Sequence, residues 1–299
     1  MDQIDKHISL LLTMNSRITY REIAEKTELT VNTVHNRVKN LMNKGIIKKF
    51  TTKLNIKLVN GIRILVFGYT KKTNFAEMGP LLGKHECIYW VCFGSGNQAF
   101  IGADLRKIEE MSDLLSYIKS IIELEDVQVA IQDLPSFLHA EGLSLSKRDY
   151  QILNSLRNDS RKALSEVAKE LGISAKTVRN RLDDIVKNYW AEFSIEWYPD
   201  LDNDIFNLII AEVKPDVDIQ SLGQKVLEEN FPNVVFFFTF SNISETIMLM
   251  HWSNSMKEFE LFKQTLDMDM FEKFVPYTLH TGLLFDTWRD ELLEERATN

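Results

Sequence analysis

The stretch "TVNTVHNRVKNL" at residues 30–41 occurs a second time, in altered form, as "SAKTVRNRLDDI" at residues 174–185. The two copies lie 144 positions apart and share threonine, valine, asparagine and arginine at the same offsets. The same offset also matches Ser16 with Ser160, Arg17 with Arg161, Glu22 with Glu166, Ala24 with Ala168, Asp5 with Asp149, Ile8 with Ile152 and Leu12 with Leu156. The chain therefore contains a duplicated segment that is wider than the motif itself.

Each copy of this segment predicts three short helices. Apolar residues recur at helical spacing in the first and third helices, the second begins near Tyr20, and Thr30 or Ser174 caps the third. The positions predicted to face inward in the first copy are Ile4, Ile8, Leu11, Leu12, Ile23, Ala24, Val34, Val38 and Leu41. A small alanine where two helices cross, followed by a capped helix with a polar outer face, is typical of a helix-turn-helix.

The outer face of the third helix carries residues that can read DNA. In a helix-turn-helix this helix enters the major groove, where asparagine bonds adenine and arginine or lysine reaches guanine. In the first copy the predicted base contacts are Asn32, Thr33, His35 and Asn36, and the predicted phosphate contacts are Arg37 and Lys39. In the second copy the candidates are Lys176, Thr177, Arg179, Asn180 and Arg181. A three-helix core that binds no DNA is the structural alternative, and the duplication argues against it.

The segments after the third helices differ in charge. In the first copy, "GIIKKFTTK" at residues 45–53 predicts a β-wing that offers Lys48, Lys49 and Lys53 to the phosphate backbone. In the second copy, "YWAEFSIEW" at residues 189–197 carries Glu192 and Glu196. We therefore expect the first head to bind DNA more strongly than the second. The second head is either an auxiliary reader or a structural element.

The regional charge supports two DNA-reading heads on an acidic body. The chain has a net charge of −8, yet residues 1–53 contain ten Lys/Arg against five Asp/Glu, and residues 145–199 contain ten against eight. A basic helix face that is merely solvated is the alternative explanation. No apolar run is long enough to predict a membrane span, and the first ten residues do not resemble a secretory signal. Cys87 and Cys92 are expected to be buried, reduced thiols.

A second repeated unit follows each head. Strand and helix patterns occur twice in the order βαββαβ, which is the ferredoxin-like split unit. The sequence thus predicts an α+β fold in which a winged helix-turn-helix and a ferredoxin-like domain are both duplicated. The predicted boundaries are 1–55 and 141–200 for the heads, and 56–140 and 201–299 for the ferredoxin-like domains.

This arrangement resembles the Lrp/AsnC, or feast/famine, family of prokaryotic transcription regulators. The resemblance rests on "IDKHISLLL", "YREIAEKTELTVNTVHNRVKNL" and "KGIIKKFT" in the first head and on the βαββαβ (RAM-like) unit after it. Ordinary members have one head and one sensor domain, so this chain resembles a fused pair. The resemblance implies double-stranded DNA as partner, a homodimer or higher homo-oligomer, an amino-acid-like effector, and a cytoplasmic, nucleoid-associated protein.

The predicted effector site departs from the family's pattern. Members commonly have a G-x-x-D element at the turn between the second and third strands of the domain, whereas Gly96 is followed here by Asn97, Gln98 and Ala99. The second copy has "SNISE" at residues 241–245, without glycine. Gly96, Asn97 and Gln98 remain the candidate effector residues, with altered specificity or loss of sensing as alternatives. The aromatic "VVFFFTF" at residues 234–240 predicts a buried central strand or a subunit interface, with a ligand pocket as the alternative.

Two other functions compete with regulation. Siroheme decarboxylases share the two-domain layout and work as paired or fused subunits, but they typically carry an H-x-Y-N-L-W-F-like segment where this chain has "SGNQAFIGA" and "NISETIMLM". No phosphate-binding loop, H-E-x-x-H or G-x-S-x-G motif occurs. The sequence therefore predicts neither an enzyme nor a bound cofactor or metal. An assembly module without DNA binding is the remaining alternative.

Overall fold

The computed structural model describes residues 1–134, 145–198 and 204–298. These residues form two compact units, and each unit contains parts of both repeats. Unit 1 comprises Met1–Lys6, Ile62–Asp133 and 204–285, and unit 2 comprises His7–Gly61, 145–198 and 286–298, together with Leu134. The predicted domain boundaries at residues 140/141 and 200/201 lie outside the described residues.

Unit 2 contains both helix-turn-helix heads, apart from the first turn of α1. The helices of the first head are α1 (Gln3–Met14), α2 (Tyr20–Thr27) and α3 (Val31–Asn43), and those of the second are α6 (Lys147–Ser155), α7 (Leu164–Leu171) and α8 (Ala175–Lys187). The predicted inward stripe of α3 is confirmed, since Val34, Val38 and Leu41 are buried. The start of α2 is fixed by a capping box between Thr19 and Glu22.

The strands after the two recognition helices pair with each other. Strand β1 (Ile47–Leu54) runs antiparallel to β6 (Ala191–Trp197), and the two form a separate two-stranded sheet. Each strand also binds the opposite head, because Ser160 donates its backbone N–H to Phe50 and Ser16 donates its own to Phe193. The two heads are therefore interlocked by their strands.

A C-terminal helix completes the core of the second head. Helix α11 (Trp288–Thr298) buries Leu293 in a cluster that includes Leu153 of α6 and Leu54 of β1. Arg289, of which 2% is exposed, donates to the backbone oxygen of Leu54 at 2.5 Å. Residues from the end of the chain thus hold together elements of both heads.

Unit 1 contains both βαββαβ repeats. The elements of the first repeat are β2 (Ile62–Tyr69), α4 (Phe75–Leu82), β3 (Ile88–Gly94), β4 (Gln98–Leu105), α5 (Met111–Ile122) and β5 (Glu125–Ile131). The elements of the second are β7 (Ile205–Val213), α9 (Ile219–Glu229), β8 (Val234–Thr239), β9 (Thr246–Ser253), α10 (Met256–Thr265) and β10 (Phe271–Leu284). The predicted α+β fold with duplicated βαββαβ order is confirmed.

The two repeats share one antiparallel sheet of eight strands in the order β5-β2-β4-β3-β10-β7-β9-β8. Strand β10 joins them, since it pairs with β7 of its own repeat and with β3 of the first. The ends of the outer strands meet through a bridge between Gln132 and Phe240. One core contains residues of both repeats, among them Phe67, Phe100, Leu208 and Met248.

The cores beneath the helices differ between the repeats. In the second repeat, Asn207 of β7 lies opposite His251 of β9, whereas the corresponding pair in the first is Ile64 and Ala103. The Nδ2 atom of Asn207 and both ring nitrogens of His251 are buried without a hydrogen-bond partner. Burial, and secondarily the charge of Lys6, lowers the pKa of His251 to about 4. The second repeat therefore holds a neutral imidazole where the first has a methyl group.

The strand "VVFFFTF" is an outer strand of this sheet, so the predicted central position is wrong: the repeats join through β3 and β10, which take the centre. Val234 and Val235 are buried, and Phe236, Phe237 and Phe238 are half-buried. Cys87 and Cys92 are buried free thiols, as the sequence predicts. Burial raises the pKa of the Cys87 thiol to about 12. Within the described residues, no helix is both long and apolar enough to cross a bilayer.

Candidate nucleic-acid interface

The N-terminal half of helix α3 presents polar side chains to solvent. Thr30 caps the helix by accepting the backbone N–H of Thr33 at 3.2 Å, and the two hydroxyls lie 2.8 Å apart. Thr33 is half-buried, while Asn32, His35 and Asn36 are exposed. Because helix geometry puts the buried stripe on the opposite side, these side chains can approach base edges. Of the predicted phosphate contacts on α3, Lys39 is exposed and Arg37 is half-buried.

Helix α8 has the same construction. Ser174 caps it by accepting the backbone N–H of Thr177 at 3.0 Å, and Val178, Leu182 and Ile185 are buried. The candidate residues Lys176, Thr177, Arg179, Asn180 and Arg181 are all exposed. The guanidinium of Arg181 lies 3.8 Å from the carboxylate of Asp149. The second recognition helix thus keeps an exposed face that can enter a groove.

Residues at matching positions of the two heads contact each other. The hydroxyls of Ser16 and Ser160 lie 2.5 Å apart. Arg17 donates to the backbone oxygen of Ser160, and Arg161 donates to that of Ser16 at 2.6 Å. Burial, followed by the charge of Arg161, lowers the pKa of Arg17. These reciprocal contacts give the pair of heads an approximate two-fold axis.

The lysines predicted to form a wing lie beside acids of the second head. Lys48 Nζ is 2.9 Å and Lys49 Nζ 3.2 Å from the carboxylate of Glu196, and Tyr198 donates its hydroxyl to the same group at 2.7 Å. Burial acts to raise the pKa of Glu196, but Tyr198, Lys48 and Lys49 hold it below its ordinary value. The strand β1 is therefore part of the contact between the heads.

Lys53 lies farther along β1, beside the C-terminal helix. Its ammonium group is 3.3 Å from Asp290 and 3.8 Å from Asp286, and Arg157 of the second head lies 3.2 Å from Asp286. We expected the first head to bind DNA more strongly because of Lys48, Lys49 and Lys53. All three lysines lie close to carboxylates. Helices α3 and α8 themselves carry the same net charge of +2.

Sequence reasoning did not identify the contacts between the heads or the acids of α11. The repeated Ser-Arg pair at residues 16–17 and 160–161 was the available signal, because a polar pair retained in both copies is suited to a symmetric contact. The acids of α11 had no comparable signal.

The candidate effector residues form the turn between β3 and β4. Gly96 and Asn97 both have positive φ, 71° and 56° respectively, and the Asn97 oxygen accepts the backbone N–H of Thr70 at 3.1 Å. The neighbouring Ser95 hydroxyl accepts the backbone N–H of Thr278 in β10 at 3.1 Å. Gln98 begins β4 and pairs with Tyr69. In the second repeat, Asn242 of the corresponding turn binds the backbone of β5.

Family models match both heads. A model described as winged helix-turn-helix DNA-binding matches residues 1–48, and one described as the AsnC-type helix-turn-helix domain matches residues 145–184. The two copies of the recognition motif therefore correspond to two recognised DNA-binding domains.

The relatives are regulators about half as long as this chain. An uncharacterised HTH-type transcriptional regulator of Pyrococcus furiosus is 32% identical over 144 residues, which are 46% of this chain and 96% of that protein. The HTH-type transcriptional regulator FL11 of the same organism is 31% identical over 134 residues, 44% of this chain and 88% of that protein. Among solved structures, the siroheme decarboxylase NirDL covers 99% of both chains at a TM-score of 0.61. Its identity of 11% shows a common fold alone. The match covers 96% of the first relative at 32% identity, and the AsnC-type domain model matches the second head. The chain therefore belongs to the Lrp/AsnC family of HTH-type transcriptional regulators.

Proposed function

We propose that this protein is a sequence-specific DNA-binding transcription regulator whose two heads act as a covalently linked pair. The observation that carries the proposal is the interlocked pair of capped recognition helices, α3 and α8, each with an exposed polar face. A regulator with a single head obtains this arrangement by dimerising, whereas here one chain supplies both halves.

The proposed roles follow from position on each helix. Asn32, Thr33, His35 and Asn36 approach base edges from α3, and Arg37, Lys39, Lys48, Lys49 and Lys53 contact phosphates. On α8, Lys176, Thr177, Arg179, Asn180 and Arg181 take the corresponding roles. Because Lys176 stands where α3 has Asn32, and Arg179 where it has His35, we propose that the operator has two dissimilar halves.

Selection of DNA fragments by the wild type, Asn36→Ala and Asn180→Ala tests this function at two salt concentrations. We expect the wild type to select a two-part motif and each variant to lose one part, because each asparagine reads one half. A lost asparagine contact costs about 1–3 kcal/mol of discrimination against the wrong base. Lys39→Ala is the matched control, since loss of a phosphate contact weakens binding to all sequences alike.

Three outcomes would change the interpretation. Loss of the whole motif in Asn36→Ala with no change in Asn180→Ala would leave α3 as the reading helix and α8 as scaffold. Equal losses on selected and random DNA would contradict the base-reading role of these asparagines. The absence of any selected motif at either salt concentration would reject the proposed function.

Glu196→Gln tests whether Lys48 and Lys49 reach phosphates. The substitution removes the carboxylate that lies beside both lysines. If both lysines then engage phosphate, we expect tighter binding at low salt and a slope of log affinity against log salt steeper by about 0.9 per lysine. Filter binding over a salt series measures this slope.

The exposed Glu295→Gln removes the same charge from α11 and controls for net charge. An identical response of the two variants would assign Lys48 and Lys49 to the contact between the heads alone.

A second candidate, action on a tetrapyrrole, is favoured by the full-length fold match to the siroheme decarboxylase NirDL. The absorbance of the purified protein, before and after incubation with iron uroporphyrin, tests it. A Soret shift with conversion of the tetrapyrrole would support this candidate, and an unchanged spectrum would oppose it.

Assembly, sensing and location complete the proposal. We propose that unit 1 mediates homo-oligomerisation, because Met256, Leu261 and Met268 expose about half of their surface there. Light scattering of the wild type and Leu261→Asp tests this role. An amino-acid-like effector at Gly96, Asn97 and Gln98 and a cytoplasmic, nucleoid-associated location are further parts of the proposal.

A further inference from the structure

One arginine of the second head is held on an aromatic side chain of the first. Arg161 donates to the backbone oxygens of Ser16 at 2.6 Å and Ile18 at 2.7 Å, and its guanidinium lies 4.4 Å from the ring centroid of Tyr20. Because the backbone bonds fix the position of the guanidinium, the face of the Tyr20 ring is fixed with it. Tyr20 is the first residue of α2, directly after the capping Thr19.

The other side of this contact reaches the recognition helix. Tyr20 meets His35 edge to face, with ring centroids 5.7 Å apart and an interplanar angle of 77°. His35 is exposed on the N-terminal half of α3, between the buried Val34 and the exposed Asn36. The three side chains therefore form a chain of contacts from the second head, through Tyr20, to a predicted base contact of the first.

The second head lacks the corresponding arrangement. At the offset of 144, Tyr20 is replaced by Leu164 and His35 by Arg179. Phe50 also lies 5.5 Å from the guanidinium of Arg161, but its structural counterpart is Phe193, since Ser160 and Ser16 donate to these two residues reciprocally. Arg17, the counterpart of Arg161, still binds the backbone of the opposite head at Ser160. The backbone contacts are reciprocal, but the aromatic path to the recognition helix exists on one side.

We propose that Arg161 is a positioning residue for base reading by the first head, acting across the contact between the heads through Tyr20 and His35. This inference rests on the proposed DNA-binding function. An unsupported His35 would sample several rotamers, whereas the edge of a fixed Tyr20 ring restricts the imidazole to one orientation. The second head thereby determines part of the specificity of the first, although Arg161 does not itself need to touch a base.

The test compares base preferences. If the contact of Arg161 with Tyr20 were purely structural, its loss would alter the affinity for DNA without altering which bases are preferred. DNA selection is carried out with His35→Ala, Tyr20→Leu, Arg161→Lys and Arg17→Lys. His35→Ala identifies the base pairs that His35 reads, and Tyr20→Leu gives the first head the residue found in the second. We expect Tyr20→Leu and Arg161→Lys to reduce discrimination at those same base pairs roughly threefold to tenfold.

The controls separate positioning from folding. Arg17→Lys changes the reciprocal backbone contact and is expected to leave those base pairs unaffected. Tyr20→Phe keeps the aromatic ring and is expected to retain the base preferences of the wild type. The double variant Tyr20→Leu/His35→Ala is expected to match His35→Ala alone, since the tyrosine has no imidazole left to orient.

The inference is overturned if the wild type selects a motif and Tyr20→Leu and Arg161→Lys leave preferences at the His35 base pairs unchanged. It is also overturned if Arg17→Lys changes them equally. By contrast, failure of the wild type to select any motif would reject the proposed function itself. The two failures are distinguished by the wild-type profile.

Discussion

Leu293→Ala is expected to destabilise the second head by about 2–5 kcal/mol, since the side chain is fully buried and truncation of such a leucine leaves a cavity. Leu293 belongs to a cluster with Leu153 of α6, Ile185 of α8 and Leu54 of β1. Loss of this contact would loosen the docking of α11 and, with it, the support of the second recognition helix. Hydrogen exchange in α6 and α8 measures the effect locally.

Glu295→Ala is the matched control, because Glu295 lies on the exposed side of the same helix. Alanine has a helix propensity at least as high as that of glutamate, so the helix itself is not weakened. Its effect should stay within about 0.5 kcal/mol. Equal protection of α6 in the two variants would contradict the docking of α11 against the second head. A loss confined to α11 itself would mean that the helix frays without supporting its neighbours.

The elements of this fold were predictable because their signals are local. The inward stripe of Val34, Val38 and Leu41 and the cap at Thr30 determine α3 within one short segment. The alternation of strand and helix patterns likewise gave the βαββαβ order. A residue pattern that lies within one element can be recognised in a single sequence. Its occurrence in both copies strengthened each prediction.

The pairings between elements were not predictable in the same way. The sequence indicated a wing at β1, but its partner is β6, more than a hundred residues later. The register places Lys49 opposite Glu196 and Lys53 opposite Glu192, so the charge difference between the copies is complementary across the strands. One sequence contains both halves of such a pair but does not indicate that they meet.

Fusion of the two repeats allows their interiors to diverge. In a symmetric dimer, a substitution in one subunit also changes the other, whereas here each copy varies alone. Leu164 where the first copy has Tyr20, and His251 where it has Ala103, are two such differences. The first affects the contact between the heads, and the second affects the core of unit 1.

His251 is expected to make the stability of unit 1 depend on pH between the ordinary pKa of an imidazole and its own lowered pKa. Its pKa is lowered from 6.5 to about 4 in the folded protein, chiefly by burial. The neutral form is therefore favoured by folding, and its stabilising contribution is fully present above pH 6.5. As the pH falls from 6.5 to 4, His251 binds a proton in the unfolded chain but not in the folded one. The free energy of unfolding therefore falls by about 3 kcal/mol.

Comparison with His251→Phe isolates this effect, since phenylalanine keeps an aromatic ring beside Phe262, whose centroid is 4.2 Å from that of His251. The variant shares the other titrating groups, including His85, whose pKa is also lowered by burial. Thermal melting of both proteins at pH 7 and pH 4 should show the wild type losing roughly 6–12 °C more than the variant. Parallel losses would mean that the imidazole is protonated in the folded state, which requires a proton acceptor or water beside its ring nitrogens.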